Sequence, residues 1–285
     1  MKTVLKKMSH LLSDLAYISL RYRIALGYWP DLKEPKSFNE KLQWIKLYDR
    51  RPEYSMMVDK YAVKEYIADK IGADYLIPTL GVWDRFEEID FGKLPEKFVL
   101  KCTHNSGGLV LCQNKKTLDL GAAQKKISAS LKENYYWHSR EWPYKNVPPR
   151  IIGEKYMENE DGSAIRDYKI QCFHGRADHI LVCTDRYSDS GVKYFYFDRN
   201  WKFLPYCKQG ENASEAAKID PPERLEEMIE IAEKLSEGIP ELRVDLYEIG
   251  GKIYFGELTF FSSSGFDQTI TREADKILGE KMIIK

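Results

Sequence analysis

The chain has 285 residues, enough to bury a sizeable core as one large or two smaller domains. Its 44 lysines and arginines balance 44 aspartates and glutamates, so no global field argues for nucleic acid or an anionic membrane as partner. Five cysteines, odd in number, without a C-x-x-C pair and set mostly inside apolar runs, argue against a disulfide frame or zinc site and for reduced thiols in a cytoplasmic protein.

The first thirty residues place lysines before an apolar stretch, as a signal peptide does. Asp14, Arg21 and Arg23 interrupt that stretch and no small-residue cleavage site follows, so it is expected to pack against the protein's own body. No run reaches the roughly 20 apolar residues of a membrane span. Residues 1–58 read as helical, broken at Pro30–Pro35. Ser37, followed three residues later by Glu40, predicts a capping box that opens a helix through Leu47.

A second helical pattern, Ala62, Val63, Tyr66, Ile67 and Ile71, follows Asp59-Lys60 and ends at Gly72. A short strand is expected near Trp83, and Lys97–Cys102 reads as a buried strand. That strand runs into Thr103-His-Asn-Ser-Gly-Gly108, a small-residue loop beside Lys101. Such a loop can wrap phosphate oxygens with backbone N–H groups, or it can be an ordinary hairpin turn. A helix is predicted from about Leu118 to Leu131. The aromatic segment Asn134–Tyr144 is either a long loop or a surface on which sugar rings stack.

Ile151–Met157 predicts another strand, and 167–183 an antiparallel pair turning at Gly175-Arg176. Lys193–Phe197 and Trp201–Leu204 continue the sheet. His174 and His179 lack a third nitrogen or thiolate at metal spacing and read as turn or surface histidines. Pro221 and Pro222 start the last strong helix, in which Leu225, Met228, Ile229, Ala232 and Leu235 form one apolar stripe, and Gly238 stops it.

Glu241–Phe266 reads as a hairpin about Gly250-Gly251. Alternation sets Arg243, Asp245 and Tyr247 on one face and Glu257 with Thr259 together on the partner strand. Asp245 and Glu257 are then either solvated acids or a pair that shares a cation, and magnesium suits few carboxylates plus phosphate oxygens.

No G-x-x-x-x-G-K-[ST], G-x-G-x-x-G or G-x-S-x-G motif occurs, and the kinase-like Asp90-Phe-Gly92 has no H-R-D loop upstream. What remains is an ordered series: Asp59-Lys60, Lys101 with its loop, Glu154-Lys155-Tyr156-Met157, and the Asp245/Glu257 hairpin. From residue 59 onward this series resembles the ATP-grasp superfamily. Four stretches sharpen the likeness: Ser37–Arg50, Asp59-Lys60, Lys101–Gly108 and Gly256-Glu-Leu-Thr-Phe260. They look like the TupA-like ATP-grasp proteins found among bacterial capsule and surface-polysaccharide genes.

The resemblance implies an α+β ATP-grasp fold, with two α+β subdomains clasping ATP and a helical N-terminal segment. The expected divisions are a 1–58 helical segment, a 59–150 first subdomain with a flexible phosphate loop, and a 151–285 second subdomain with hinge and metal site. It implies ATP and Mg2+ as cofactors. Lys60 and Lys101 would contact phosphates, with His104, Asn105, Ser106, Gly107 and Gly108 closing over them. Glu154, Lys155, Tyr156 and Met157 would form the adenine edge, Asp167 and Lys169 would join the nucleotide set, and Asp245, Glu257 and Thr259 would hold metal. Thr259 stands where the family usually has asparagine. Arg243 and Lys101 are the expected catalytic groups, Arg243 beside the transferring phosphoryl group.

The expected activity is ADP-forming carboxylate–amine ligation through an acyl phosphate. Its partners would be an amine and a uronic-acid carboxylate of a surface glycan or precursor, with peripheral association to the polysaccharide machinery. A sugar phosphotransferase and a glycosyltransferase are the alternatives. His104, Arg186 and the aromatic segment around Trp137 are candidate acceptor contacts.

Overall fold

The computed structural model describes residues 9–162, 165–184, 192–208 and 213–284. The chain forms two compact units, one of Met1–Leu11 with Arg50–Glu158, the other of Leu12–Asp49 with Asn159–Lys285. Together with the two sheets described next, they make the α+β architecture expected of the ATP-grasp fold.

The first unit is built on an antiparallel sheet of β1 (Thr79–Trp83), β2 (Phe98–Cys102), β3 (Leu109–Cys112) and β4 (Ile151–Lys155), in the order β1-β4-β2-β3. The expected division at 150/151 does not coincide with a unit boundary. β4 lies between β1 and β2, where Ile151 and Ile152 are fully buried and its backbone groups pair on both edges. Phe98, Leu100 and Cys102 point to a core closed by Ile127 of the helix Leu120–Leu131. Alternation then sends Lys101 to the opposite face, and Glu154, two positions beyond its partner Ile152 on β4, goes with it.

The second unit holds a six-stranded antiparallel sheet: β5 (Asp167–Phe173), β6 (Arg176–Thr184), β7 (Lys193–Asp198), β8 (Phe203–Leu204), β9 (Glu241–Ile249) and β10 (Lys252–Thr259), in the order β10-β9-β5-β6-β7-β8. Leu242, Val244 and Leu246 alternate on one face with Ile170 and Cys172, all without exposed surface, and the helix Leu225–Leu235 packs with β5, β6 and β9. The helix Phe38–Tyr48 also belongs here, so the expected division at 58/59 falls elsewhere. Its capping box forms as the sequence predicts. Lys41 donates to the carbonyls of Gly279 (2.7 Å) and Met282 (2.8 Å), satisfying the end of a helix, Arg272–Lys281, that the sequence reading did not anticipate.

One residue sets the register of the hairpin. Gly250 and Gly251 adopt φ 57° and 71°, the two-residue turn their sequence predicts. From that turn Phe255 pairs with Leu246, and uninterrupted pairing would set Glu257 opposite Val244, on the apolar face. A bulge between Phe255 and Glu257 shifts the register, so that Glu257 opposes Asp245 and Thr259 opposes Arg243. Gly256 is the extra residue, and a Cβ there would lie 2.9 Å from the Asp245 carbonyl oxygen. Gly256→Ala is expected to destabilise the protein by about 1–3 kcal/mol, read as a lower urea midpoint; an unchanged midpoint would refute the close approach.

Candidate active site

In the first unit the acid and the lysine on the sheet face opposite the core meet. Glu154 is buried, its Oε1 2.5 Å from Lys64 Nζ and its Oε2 2.7 Å from Lys101 Nζ. Burial alone would raise the Glu154 carboxyl, but the two ammonium groups outweigh it and hold it below the usual carboxylate range. Lys64 also donates to the Ile77 carbonyl at 2.7 Å. The sequence reading passed over Lys64; its place four residues after Lys60, at the start of the helix Val63–Ile71, was the available signal.

Asp59 organises the approach to this helix. Its Oδ1 accepts the amides of Tyr61 and Ala62, and its Oδ2 pairs with Arg150 at 2.9 Å. Lys60 reaches the Asn105 carbonyl at 2.6 Å, so the structure brings Lys60 to the loop after β2. The sequence leaves that loop open between a phosphate wrap with exposed amides and an ordinary hairpin turn. Asn105 Oδ1 accepts the N–H groups of Gly107 (3.1 Å) and Gly108 (3.2 Å), and Asn105 Nδ2 donates to Ser130 Oγ at 2.7 Å. His104 is buried, donates through Nε2 to the Glu133 carbonyl at 3.0 Å, and burial pushes its pKa down. Ser106 and Gly107 are the exposed part of the loop. Gly108 has no room for a side chain, a Cβ there lying 2.4 Å from Cys102 Sγ. Beyond Glu154, Lys155 is exposed and Tyr156 accepts a hydrogen bond from Gln113.

The aromatic segment does not present a row of free ring faces. Tyr136 is buried, and the guanidinium of buried Arg140 lies 5.2 Å from its ring and 4.8 Å from that of Trp137 while donating to the Ser9 carbonyl. Arg186, the other acceptor candidate, lies outside the described residues.

In the second unit one sheet face carries a polar lattice. Thr259, Arg243, Gln171 and His179 form one row across β10, β9, β5 and β6; Glu257, Asp245, Lys169 and Leu181 form the next. Asp245 is buried and accepts from Arg243 Nε (2.6 Å), from Arg243 Nη2 (2.8 Å) and from Lys169 (2.5 Å). Lys169 also pairs with Asp167 at 2.6 Å, and Arg243 donates to Thr259 Oγ1 at 3.0 Å. Burial raises the Asp245 carboxyl, yet Arg243 and Lys169 hold it below its ordinary value. The acid in turn keeps Lys169 protonated, its pKa raised despite burial. Glu257 lies 3.8 Å from Arg243, with 45% of its side chain exposed.

The family model for TupA-like ATPgrasp proteins matches residues 40–283. The chain belongs to this family. No curated sequence matches it. Among solved structures, this TupA-like ATP-grasp chain is similar to a D-alanine–D-alanine ligase from Bacillus anthracis complexed with ATP, at 16% identity over 72% of this chain and 55% of that one, with a TM-score of 0.40. It is similar also to the D-alanine–D-alanine ligase from Helicobacter pylori, at 16% identity over 87% and 70% of the two chains, TM-score 0.42. The ATP-grasp ligase PsnB complexed with a minimal precursor matches at 11% identity over 86% and 68%, TM-score 0.44. The chain thus spans little more than half the length of the first of these.

The donor set fits magnesium. Asp245, Glu257 and Thr259 offer oxygen alone, and the bulge puts all three on one face. A carboxylate has about four acceptor sites, and three of those on Asp245 are taken by Arg243 and Lys169. Among the described residues no group of three histidines, cysteines or acids could hold a metal. A magnesium ion held by this set would draw its remaining ligands from phosphate and water.

Because Glu154 and Asp245 both titrate below their unfolded values, the stability they confer is complete above about pH 5 and lost as pH falls below about 4. Glu154→Gln, which leaves Lys64 and Lys101 without their counter-charge, is expected to cost about 3 kcal/mol at pH 7 and to flatten this acid limb in thermal denaturation. An acid limb as steep as that of wild type would remove Glu154 from the account.

Proposed function

We propose that this ATP-grasp chain is an ADP-forming carboxylate–amine ligase that joins an amino acid or other amine to a uronic-acid carboxylate of a bacterial surface polysaccharide or its precursor. The observation that carries the ligase reading is the lattice in which Arg243 and Lys169 share Asp245 beside Glu257 and Thr259. Two fixed cations next to two oxygen donors suit a phosphoryl group in transfer, which asks a protein for positioning and charge stabilisation more than for covalent chemistry. The uronate rests on the likeness to capsule-associated proteins.

In this reading Lys60 and Lys101 bind ATP phosphates, with Glu154 orienting Lys101. Asp167 and Lys169 extend the nucleotide set, and Asp245, Glu257 and Thr259 hold Mg2+, which when bound neutralises phosphate charge. Arg243, fixed on two sides by Asp245 and Thr259, keeps its fork aimed at the transferring group. The carboxylate attacks the γ-phosphorus to give an acyl phosphate and ADP; an amine then displaces phosphate. No helix among the described residues is long and apolar enough to cross a membrane.

Incubation with ATP, magnesium and a uronate, with and without amines, tests the reading. ADP release that requires the amine and yields an amide is the expected result, whereas a stable phosphorylated sugar would indicate a phosphotransferase. Glu257→Gln is expected to abolish ADP formation with an unchanged circular dichroism spectrum, since the side chain is half exposed; wild-type turnover would refute the metal role. Lys101→Ala is expected to raise the ATP concentration needed for half-maximal rate and to slow turnover by about 10²-fold or more. An unaltered ATP dependence would remove Lys101 from the phosphate site.

A further inference from the structure

A cavity in the second unit opens over the polar sheet face, lined by Lys169, Arg243, Gln171, His179, Tyr196 and Ser262 among others. Lys169 and Arg243 tie it to the phosphoryl-transfer groups. His179 is the residue there that the ligase reading leaves unused. It is not the surface histidine its sequence suggested. It is 3% exposed on β6, with the rings of Tyr196 and Tyr206 at 5.5 and 5.8 Å. His174, by contrast, does sit in the β5–β6 turn, where its Nε2 accepts from the Ile283 amide.

The imidazole has a defined tautomer. His179 Nδ1 lies 2.9 Å from Asp178 Oδ2, while Lys281 holds Asp178 Oδ1 at 2.6 Å. Burial raises the Asp178 carboxyl, but His179 and Lys281 together hold it below its ordinary range. An ionised carboxylate can only accept, so Nδ1 carries a proton, and in the neutral imidazole the lone pair is on Nε2. No hydrogen bond to Nε2 is made by any described residue.

The groups around the ring are mixed in sign. Asp178 adjoins it on β6, Tyr196 and Asp198 face it from β7, and Tyr206 packs on it from the segment after β8. Lys281 acts through Asp178, and Lys169, Arg243 and Asp267 share the cavity. Arg243 stands two strands from His179 in the same row, about 10 Å at ordinary strand spacing.

We propose that His179 is the general base of the second half-reaction and that Asp178 is its positioning residue. The inference rests on the ligase reading and adds the acceptor's chemical class: an amine that arrives protonated. Nε2 takes one proton from the ammonium group. The freed lone pair forms the C–N bond as the C–O bond to phosphate breaks, and the phosphate leaves with that electron pair. The leaving phosphate takes the second nitrogen-bound proton, and the imidazolium returns its proton to solvent.

The test compares two nucleophiles with ATP, magnesium and D-glucuronate: glycinamide, largely protonated near neutral pH, and hydroxylamine, which is largely unprotonated at pH 7 and needs no base. His179→Gln is expected to lower the ratio of amide to hydroxamate formation by about 10²-fold, and Asp178→Asn to lower it in the same direction. An unchanged ratio, whatever the absolute rates, would overturn the proposal and assign His179 to packing. Absence of hydroxamate with the wild-type chain would instead defeat the ligase reading on which the proposal stands. Nitrogen NMR of the wild-type imidazole gives a check independent of substrate and of variant folding: a proton on Nδ1 at pH 7 to 8 is expected, and a proton on Nε2 would overturn the proposal.

Discussion

Glu257 faces Asp245 because β10 carries one residue more than its partner between Phe255 and Glu257. Without that bulge the regular alternation of the hairpin would bury Glu257 beside Val244 and leave Asp245 opposite Gly256, with no carboxylate across the strand. Glycine fits there because the backbone of β9 approaches too closely for a Cβ. The bulge thereby completes the polar lattice of the second unit: Arg243 gains Thr259 across the strand as well as Asp245 along it, while the separate β5–β9 register sets Lys169 beside Asp245 from the other side. A carboxylate buried to 1% exposure could not remain charged without those two cations.

The first unit solves the same electrostatic problem with the signs redistributed. There one buried acid, Glu154, is shared by Lys64 and Lys101, so two lysines keep fixed positions on the face opposite the core. Pairs of this kind contribute little net stability compared with apolar packing, and their value lies in orientation. In the proposed function, held ammonium and guanidinium groups would need no rearrangement when a phosphate arrives. The loop after β2 is prepared in the same sense, with Asn105 tying it to Ser130 and to its own glycine amides.

Side-chain context changed the meaning of several motifs. The aromatic run around Trp137 looks like a stacking surface as a string of letters, yet it wraps a buried arginine. His179 shows the reverse, since a residue dismissed for lack of metal spacing proves to be an oriented imidazole beside a cavity. Its neighbour Asp178 was a visible hint and the turn predicts the β5–β6 pair, but nothing local shows the register shift that sets His179 level with Gln171, or the β9 pairing that adds Arg243.

By itself the sequence determined whatever depends on neighbours a few residues apart: the capping box at Ser37 and Glu40, the Gly250-Gly251 turn, the period-two strands, the amphipathic helix before the hairpin, and through its ordered motifs the family. Tertiary structure decided whatever depends on distant segments meeting. It assigned β4 to the first sheet, paired Lys64 with Glu154, seated the helix Phe38–Tyr48 on Arg272–Lys281, and slipped β10 by one residue at Gly256. The physical reason is one of range. Caps and turns are satisfied by backbone groups within a few positions, whereas register, burial and ion pairing are settled by whichever remote strand supplies the missing hydrogen bonds and counter-charges.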